Sequence, residues 1–330
     1  MGRKLFGKTT KMIKIKKCEI CGKRNFQFLF NLKDNSLGIP GKFNFVKCKD
    51  CELIFMNPQP SLNELQKHYP KETYYSLGKI NLKESSLKTR MKILLYKIYF
   101  SPRNKNYFLK TIFSPLKFFV RGTRINHNDK LLDIGSGSGQ FLYEMKQLGI
   151  KGYGVEPGNF EKGIAKKEGL KIKNLDLIQS KYPRDFFDLI TMNHVLEHVN
   201  NPSKTIKEIH RILYKKGLLI MGVPNSNSLA YGLFKKNWYQ LDVPRHLFNY
   251  SDKNLKDLLK KEGFKVINVR YNSRPSQFSV SLSYFLKGKK WNNRLIDFIF
   301  TVLFLPLTWM VNFLRWGDQI EVYCVKEKGL

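Results

Sequence analysis

The chain is short of acid. Its 330 residues hold 26 Asp and Glu against 59 Lys and Arg, a formal net charge of +33 with a pI near 9.9. An excess of this size draws polyanions: nucleic acid, anionic lipid or phosphorylated substrates. The lysines are spread along the chain and not gathered in one tract, so ordinary solvated faces compete with that reading. Cysteine is scarce too, at five residues, and in a reducing compartment no disulfide framework is expected. An apolar leader is missing: "MGRKLFGKTTKMIKIKKCEI" is basic and has no run long enough for a secretory signal. "MGRKLF" also lacks the Ser or Thr expected at the sixth position of a myristoylation signal. These absences point to a cytoplasmic protein. The chain does hold enough apolar material for a core, 42% hydrophobic and 14% aromatic, which excludes wholesale disorder. Its length suits one large domain, or a core with a small appendage.

Four of the cysteines stand in two C-x-x-C pairs, Cys18 and Cys21 in "CEIC", Cys48 and Cys51 in "CKDC". Each pair can curl as a knuckle, and four thiolates make the tetrahedral set that structural zinc prefers. Gly22 follows the first knuckle, where a positive φ is often needed. Between the pairs, "NFQFLFNL" and "KFNFVKC" alternate as strands do. The pattern is that of a zinc ribbon whose closed ligand set holds a structural ion. The rival is a redox role, which has to explain two pairs and lacks a βαβ context. Cys324, in "IEVYCV", reads as a buried strand residue.

"KLLDIGSGSGQFLYEMKQLGI" carries the strongest chemical signal. Residues 130–134 read as a strand, Gly135, Gly137 and Gly139 as a tight turn, and Phe141, Leu142, Met145 and Leu148 recur at helical spacing. Glycines let a ligand approach the backbone closely. The spacing is G-x-G-x-G, not the G-x-G-x-x-G of dinucleotide folds. A second strand, "KGYGVEP", ends in Glu156, where a carboxylate can accept both hydroxyls of a ribose. Strands and helices then alternate: "FFDLITMNHVLEHV", "PSKTIKEIHRIL", "GLLIMGVPN", "SDKNLKDLLKKEGF" with Ser251 as cap, and "KVINVRY". That alternation implies a parallel sheet with helices on both faces.

"LLDIGSGSGQF", "GVEP", "FFDLITMNHVLEHV", "GLLIMGVPN" and "DVPRHLFNYS" together resemble the class I S-adenosylmethionine-dependent methyltransferases. The resemblance covers about 130–271 and the final strand "QIEVYCVKE". The N-terminal "CEICGK" to "KETYYS" region resembles the zinc-binding leader of a subgroup associated with sugar, polysaccharide or other surface-glycan biosynthesis. The resemblance implies an α/β fold: a Rossmann-like doubly wound sheet with an antiparallel last strand, plus a small N-terminal zinc ribbon and helical insertions. The implied cofactors are S-adenosylmethionine and structural zinc. Asp133, Gly135, Gly137 and Gly139 would cradle the methionine and ribose part of the cofactor, and Glu156 would hold the ribose hydroxyls. Asn193 and His194 would line the methionine side; Asp176 would face the adenine amine, on a looser match in "IKNLDLIQ". "LEHV", with Glu197 and His198, is similar to quinone O-methyltransferases that bind a metal there. The additional acid expected at Asn193 or His194 is missing, which favours a structural role.

Methyl transfer is an in-line displacement for which the protein supplies orientation, exclusion of water and sometimes a base. A hydroxyl acceptor needs a base, and His246 in "LDVPRHLFNY" is the candidate, in a loop after a strand. The competing reading has His246 bonded only to backbone, with Arg245 paired to Asp242. Trp238 and Tyr239 are suited to stacking on a sugar, or to serving as a hydrophobic lid. Three function classes stand: an enzyme methylating a glycan, lipid-linked sugar or related small molecule near a membrane; an RNA methyltransferase gripping nucleic acid by ribbon and basic surface; and a regulatory module that only binds cofactor. The first is favoured, because the second leaves one segment unused.

That segment is "FIFTVLFLPLTWMVNF", 298–313, which has no charged residue. A spanning helix needs about 20 mostly apolar residues; extending the run to Leu295 and Leu314 reaches that length, but the stretch then includes Asp297 and Asn312, with Pro306 inside. The strands expected on either side, 265–271 and about 319–327, belong to one sheet, so a lone crossing is excluded. An interfacial or re-entrant element is expected, sharing an anionic leaflet with the basic apolar stretch 90–124; the rival is ordinary packing on the core. The expected organisation is a ribbon leader (1–60), a basic helical connector (61–124), the core (125–273), an apolar helical insertion (274–316) and the final core strand (317–330). The expected location is the inner face of a membrane, peripherally.

Overall fold

A computed structural model describes residues 12–61, 64–65, 67–69, 87–100, 106–113, 128–158, 165, 167–291 and 293–327. The N-terminal part forms strands β1 (Met12–Ile13), β2 (Phe26–Leu32), β3 (Phe43–Cys48), β4 (Ile54–Met56) and β5 (Gln59–Pro60). Two helices follow, α1 (Leu87–Phe100) and α2 (Tyr107–Ile112). The core then runs β6 (Lys130–Ile134), α3 (Gln140–Lys146), β7 (Lys151–Val155), β8 (Lys171–Lys173), β9 (Phe187–Asn193), α4 (Pro202–Ile212) and β10 (Leu213–Pro224). After α5 (Leu229–Phe234) and β11 (Phe248–Asn249) come α6 (Asp252–Lys261) and β12 (Phe264–Tyr271). The insertion holds α7 (Ser276–Lys287), α8 (Arg294–Leu303) and α9 (Leu305–Phe313), and β13 (Gln319–Lys326) closes the described chain.

Seven strands make the main sheet in the order β12-β13-β10-β9-β6-β7-β8. β9 runs parallel to β6 and β10, while β13 is antiparallel to both β10 and β12. The expected antiparallel last strand is therefore present. The central strands are buried along their length because both faces are covered, as continuous apolar runs such as Leu131–Leu132 and Ile190 require. Local chemistry places the helices: Asn201 caps α4 with Pro202 in its first turn, and Ser251 caps α6 in a reciprocal box with Asn254.

The leader is not a separate body. β11, from the core, pairs with β4 and completes a four-stranded sheet, β11-β4-β3-β2. Leu53 and Phe55 share one hydrophobic cluster with Leu196, Leu247 and Phe248, and the Phe55 and Phe248 rings stack 6.2 Å apart. Burying each such side chain is worth about 1.5–3 kcal/mol. Arg245, buried, donates to both oxygens of the equally buried Asp34 at 2.9 and 3.1 Å, tying the leader to the core loop. Most of the connector expected at 61–124 lies outside the described residues. Within its described part, α1 sets Leu95 and Tyr96 against Leu131 and Phe141.

Candidate functional site

The glycine turn follows β6 directly. Gly135, Gly137 and Gly139 all have positive φ, at 69°, 53° and 84°. At Gly135 a side chain is also excluded by space: a Cβ would stand 2.2 Å from Val195 Cγ2. Glu156 sits half-buried just past β7 and turns back onto the loop. Its Oε2 accepts from Gly137 N and its Oε1 from Gly158 N, both at 2.9 Å. Ser136 Oγ is buried without a hydrogen-bond partner. Asp133, 2% exposed, is the last residue but one of β6 and accepts from Thr191 Oγ1 at 2.6 Å. The loop thus combines close-approach backbone, an orphaned hydroxyl and a positioned carboxylate, a set that fits the ribose and methionine parts of S-adenosylmethionine. Asp176 stands past β8, exposed, with Oδ1 accepting from Gln179 N.

Asn193 and His194 stand at the carboxyl end of β9, one strand over. Asn193 lies close against Gly222, where a Cβ would come within 2.3 Å of Asn193 Oδ1; a single glycine inside an apolar strand gives no sign of this contact in the sequence. His194 has φ of 54°, uncommon for a residue with a side chain. Its N–H donates to Gly222 O, and its Nδ1–H donates to Glu197 Oε1 at 3.1 Å. Asp318, also unforeseen, begins the return to β13 at the same edge. It is 1% exposed, accepts from Trp238 Nε1 at 3.3 Å and has an unpartnered Oδ1. Burial pushes its carboxyl up to about 7, against the pull of Trp238, Ser273 and His194. Its sole sequence signal is an acid before an apolar strand, which many solvated turns share.

His246 points inward. It is 3% exposed, and its Nδ1–H donates to Gln240 O at 2.6 Å. Its Nε2 lies 3.9 Å from both Glu197 Oε1 and Asp242 Oδ2. Arg245 is paired with Asp242 at 2.6 Å, so the geometry is that of the backbone-bonded reading and not of a base open to an acceptor. Burial and the neighbouring His198 lower His246 to about 4, keeping it neutral. Burial works to raise the Glu197 carboxyl, but His194, His198 and His246 outweigh it and hold Glu197 at about 2. His198 Nδ1–H donates to Arg245 O. Glu197, His198 and His246 bring their ligand atoms within 4.8 Å of one another. His246 thus lies beside "LEHV" as a third group able to ligate, with no acid at 193 or 194 to join it.

Cys18, Cys21, Cys48 and Cys51 converge, their sulfur atoms within 4.8 Å of one another. Cys18 and Cys51 are 3.4 Å apart, Cys21 and Cys48 3.6 Å. A zinc–thiolate bond is about 2.3 Å, so the ligands of a tetrahedral site stand roughly 3.8 Å apart; the spacing fits. The hydrogen bond from Cys51 draws the Cys18 thiol down to about 5 and pushes the Cys51 thiol up. Local turns shape each knuckle, with Cys48 N donating to Leu53 O and Gly22 N to Cys18 O, and the pairing of Phe26 with Cys48 across β2 and β3 brings the two knuckles together.

Glycine turn, second-strand acid and sheet order together define an S-adenosylmethionine-dependent methyltransferase. The chain belongs to the methyltransferase-domain family, whose profile matches residues 104–269, half of the chain. An uncharacterized protein of Methanocaldococcus jannaschii is 32% identical over 141 residues, 42% of this chain and 65% of that protein. A ubiquinone biosynthesis O-methyltransferase of Pelagibacter ubique is 29% identical over 182 residues, covering 48% of this chain and 74% of its own. The Pseudomonas aeruginosa enzyme of the same description is matched over 47% of its length, at 28% identity over 31% of this chain. Among solved structures, a Thermotoga maritima S-adenosylmethionine-dependent methyltransferase aligns over 74% of this chain and 94% of its own, at 20% identity and a TM-score of 0.42.

Proposed function

We propose that this methyltransferase works in the cytoplasm on a small-molecule or glycan acceptor, such as a lipid-linked sugar, presented near a membrane. One observation carries the reading. The insertion between Tyr271 and Gln319 leaves and rejoins the sheet at the edge where Asn193 and the glycine turn stand. An acceptor approaching that edge meets the apolar helices α7–α9. The ubiquinone-biosynthesis O-methyltransferases among the relatives support transfer to oxygen on a small molecule.

S-adenosylmethionine supplies the electrophilic methyl group. The chain's own groups orient it: Glu156 for the ribose hydroxyls, the glycine turn with Asp133 for the methionine and ribose, Asn193 and His194 for the methionine side, Asp176 toward adenine. His246, bonded to Gln240 O, is closed to a hydroxyl acceptor; Asp318 has an unpartnered Oδ1 at the same end of the sheet but is equally buried, so a proton-accepting role for it rests on whether Asp318→Asn loses kcat. Cys18, Cys21, Cys48 and Cys51 would hold one structural zinc, a closed set with no open position for chemistry.

The alternative is an RNA methyltransferase gripping nucleic acid by the ribbon. Phe28 stands 57% exposed near exposed Lys23 and Arg24, as a stacking platform would, but that reading leaves the apolar insertion without a use. Incubation with methyl-labelled S-adenosylmethionine and separated lipid, glycan and RNA fractions should label lipid or glycan; label in RNA reverses the order. At the site itself, Glu156→Ala should weaken cofactor binding by about 1.5–3 kcal/mol in calorimetry, the value of hydrogen bonds to a charged acceptor. Unchanged affinity would remove Glu156 from the cradle.

A further inference from the structure

The insertion carries more apolar surface than the fold uses. On α8, Phe298, Ile299, Val302 and Leu303 are exposed, forming one stripe of the helix. On α9, Trp309 is 54% and Phe313 87% exposed. The opposite faces do the packing: Phe300 and Phe304 lie against Trp291 and Phe278, while Thr308 and Val311 are buried. The apolar surface continues through Phe285 and Leu286 at the end of α7 to Leu233 on α5, whose neighbour Phe234 meets Phe285 at 6.5 Å. A contiguous patch of this kind marks an interaction surface. Its rim is basic: Lys235, Lys236, Lys287, Lys289, Lys290 and Arg315 are all exposed. The acid on α8 is Asp297, already facing Lys290 at 3.8 Å.

We infer that α7–α9 form a monotopic docking surface for an anionic membrane leaflet, which sets the cofactor edge of the sheet against the lipid. Charge argues for the occupant. A stripe of aromatic and aliphatic side chains rimmed by lysine suits acyl chains beneath anionic headgroups, and the whole chain carries +33. Geometry argues against a crossing. No single described helix is long and apolar enough to span, although α8 and α9, bent by 44°, pass that test as a pair. Residues 294–303 and 305–313 are roughly 15 and 14 Å long at 1.5 Å per residue, half of a ~30 Å hydrocarbon core. Both ends of the insertion are held on one edge of one sheet. Tyr271 pairs with Ile320, and Asn312 bonds Ser273 N and O across the base. The surface therefore enters the leaflet and returns on the same side. The inference rests on the membrane-proximal reading proposed above and deepens it; it concerns where the enzyme sits, and vesicle binding is read separately from which fraction the methyl label enters.

Flotation of the full chain with vesicles tests it. Vesicles of phosphatidylcholine with phosphatidylglycerol should carry the protein up the gradient, and brominated lipid should quench the exposed tryptophans. High salt should weaken the attachment only in part, because apolar insertion remains. A Phe298→Ser, Val302→Ser, Trp309→Ser, Phe313→Ser variant, with circular dichroism and melting unchanged, should partition at least about tenfold less. Replacing Lys287, Lys289 and Lys290 by Gln is the second variant; its exposed side chains leave the fold intact, and it should lose the preference for phosphatidylglycerol over pure phosphatidylcholine. The inference is overturned if the wild type ignores the vesicles, or if both variants float like the wild type. It is equally overturned if the patch proves to be covered by a second copy, seen as a dimer that the serine variant dissociates without any vesicle binding.

Discussion

Two buried acid–base groups titrate in opposite senses, which separates them by experiment. His246 is lowered to about 4 by burial and His198. Between that value and an ordinary imidazole pKa near 6.5, the unfolded chain binds the proton and the folded chain does not. Stability from this residue is therefore present above about 6.5 and lost as pH falls toward 4, by on the order of 3 kcal/mol. Asp318 is raised to about 7 by burial. Here the folded state holds the extra proton between about 4 and 7, so its contribution falls as pH rises through that window. His246→Gln should flatten the loss of stability on the acid side in urea titrations. Asp318→Asn should stabilise the protein at pH 8 by roughly 2–4 kcal/mol, an upper range for one fully buried carboxyl. If Asp318 is also the proton acceptor, the same variant loses kcat without a matching change in cofactor affinity; retained kcat would limit it to structure.

At the scale of elements, the joint between leader and core is testable. Arg245 reaches Asp34 on the leader and Asp242 on its own loop, with all three groups largely buried. Removing one partner of a buried ion pair costs about 3–5 kcal/mol, because the other charge is left uncompensated. Asp34→Ala should destabilise by that amount, and Asp34→Ala with Arg245→Met by clearly less, in a double-mutant cycle. Additive losses would show that the pair is not coupled. Strand β11 supplies only two residues to the leader's sheet, yet Leu247 N donates to Glu197 O and Met56 N to Leu247 O. Two short pairings thus link ribbon, loop and buried charge cluster.

At the scale of the whole molecule, a shared core means shared cooperativity. Cys18, Cys48 and Phe55 lie in the same hydrophobic cluster as Ile190, Leu219 and Val322. Chelating a structural zinc, or Cys48→Ser, should lower the single melting transition of the entire chain, not release an independently folded core. A surviving high-temperature transition with native cofactor binding would make the leader an autonomous domain. S-adenosylmethionine at 100 times its Kd should raise stability by about 2.7 kcal/mol across that same transition.

Much of this was legible in residues. The turn of Gly135, Gly137 and Gly139 after an apolar strand needs left-handed backbone, and composition alone announces that. Helices at 202 and 252 were marked by Pro202 and Ser251, because a Pro in the first turn dispenses with an orphan amide and a Ser cap satisfies one next to it in the chain. The two C-x-x-C pairs likewise state their chemistry in their spacing. What tertiary structure alone decided was the inside of the molecule. Whether His246 faces an acceptor or a carbonyl, whether Asp318 is solvated or buried, and that Asp34 meets Arg245 across 211 positions depend on which distant surfaces close together. The apolar run at 298–313 was visible as a run. Its division into a packed face with Phe300 and Phe304 and an open face with Phe298 and Phe313 was set by the helices beneath it, since burial belongs to pairs of surfaces and not to single residues.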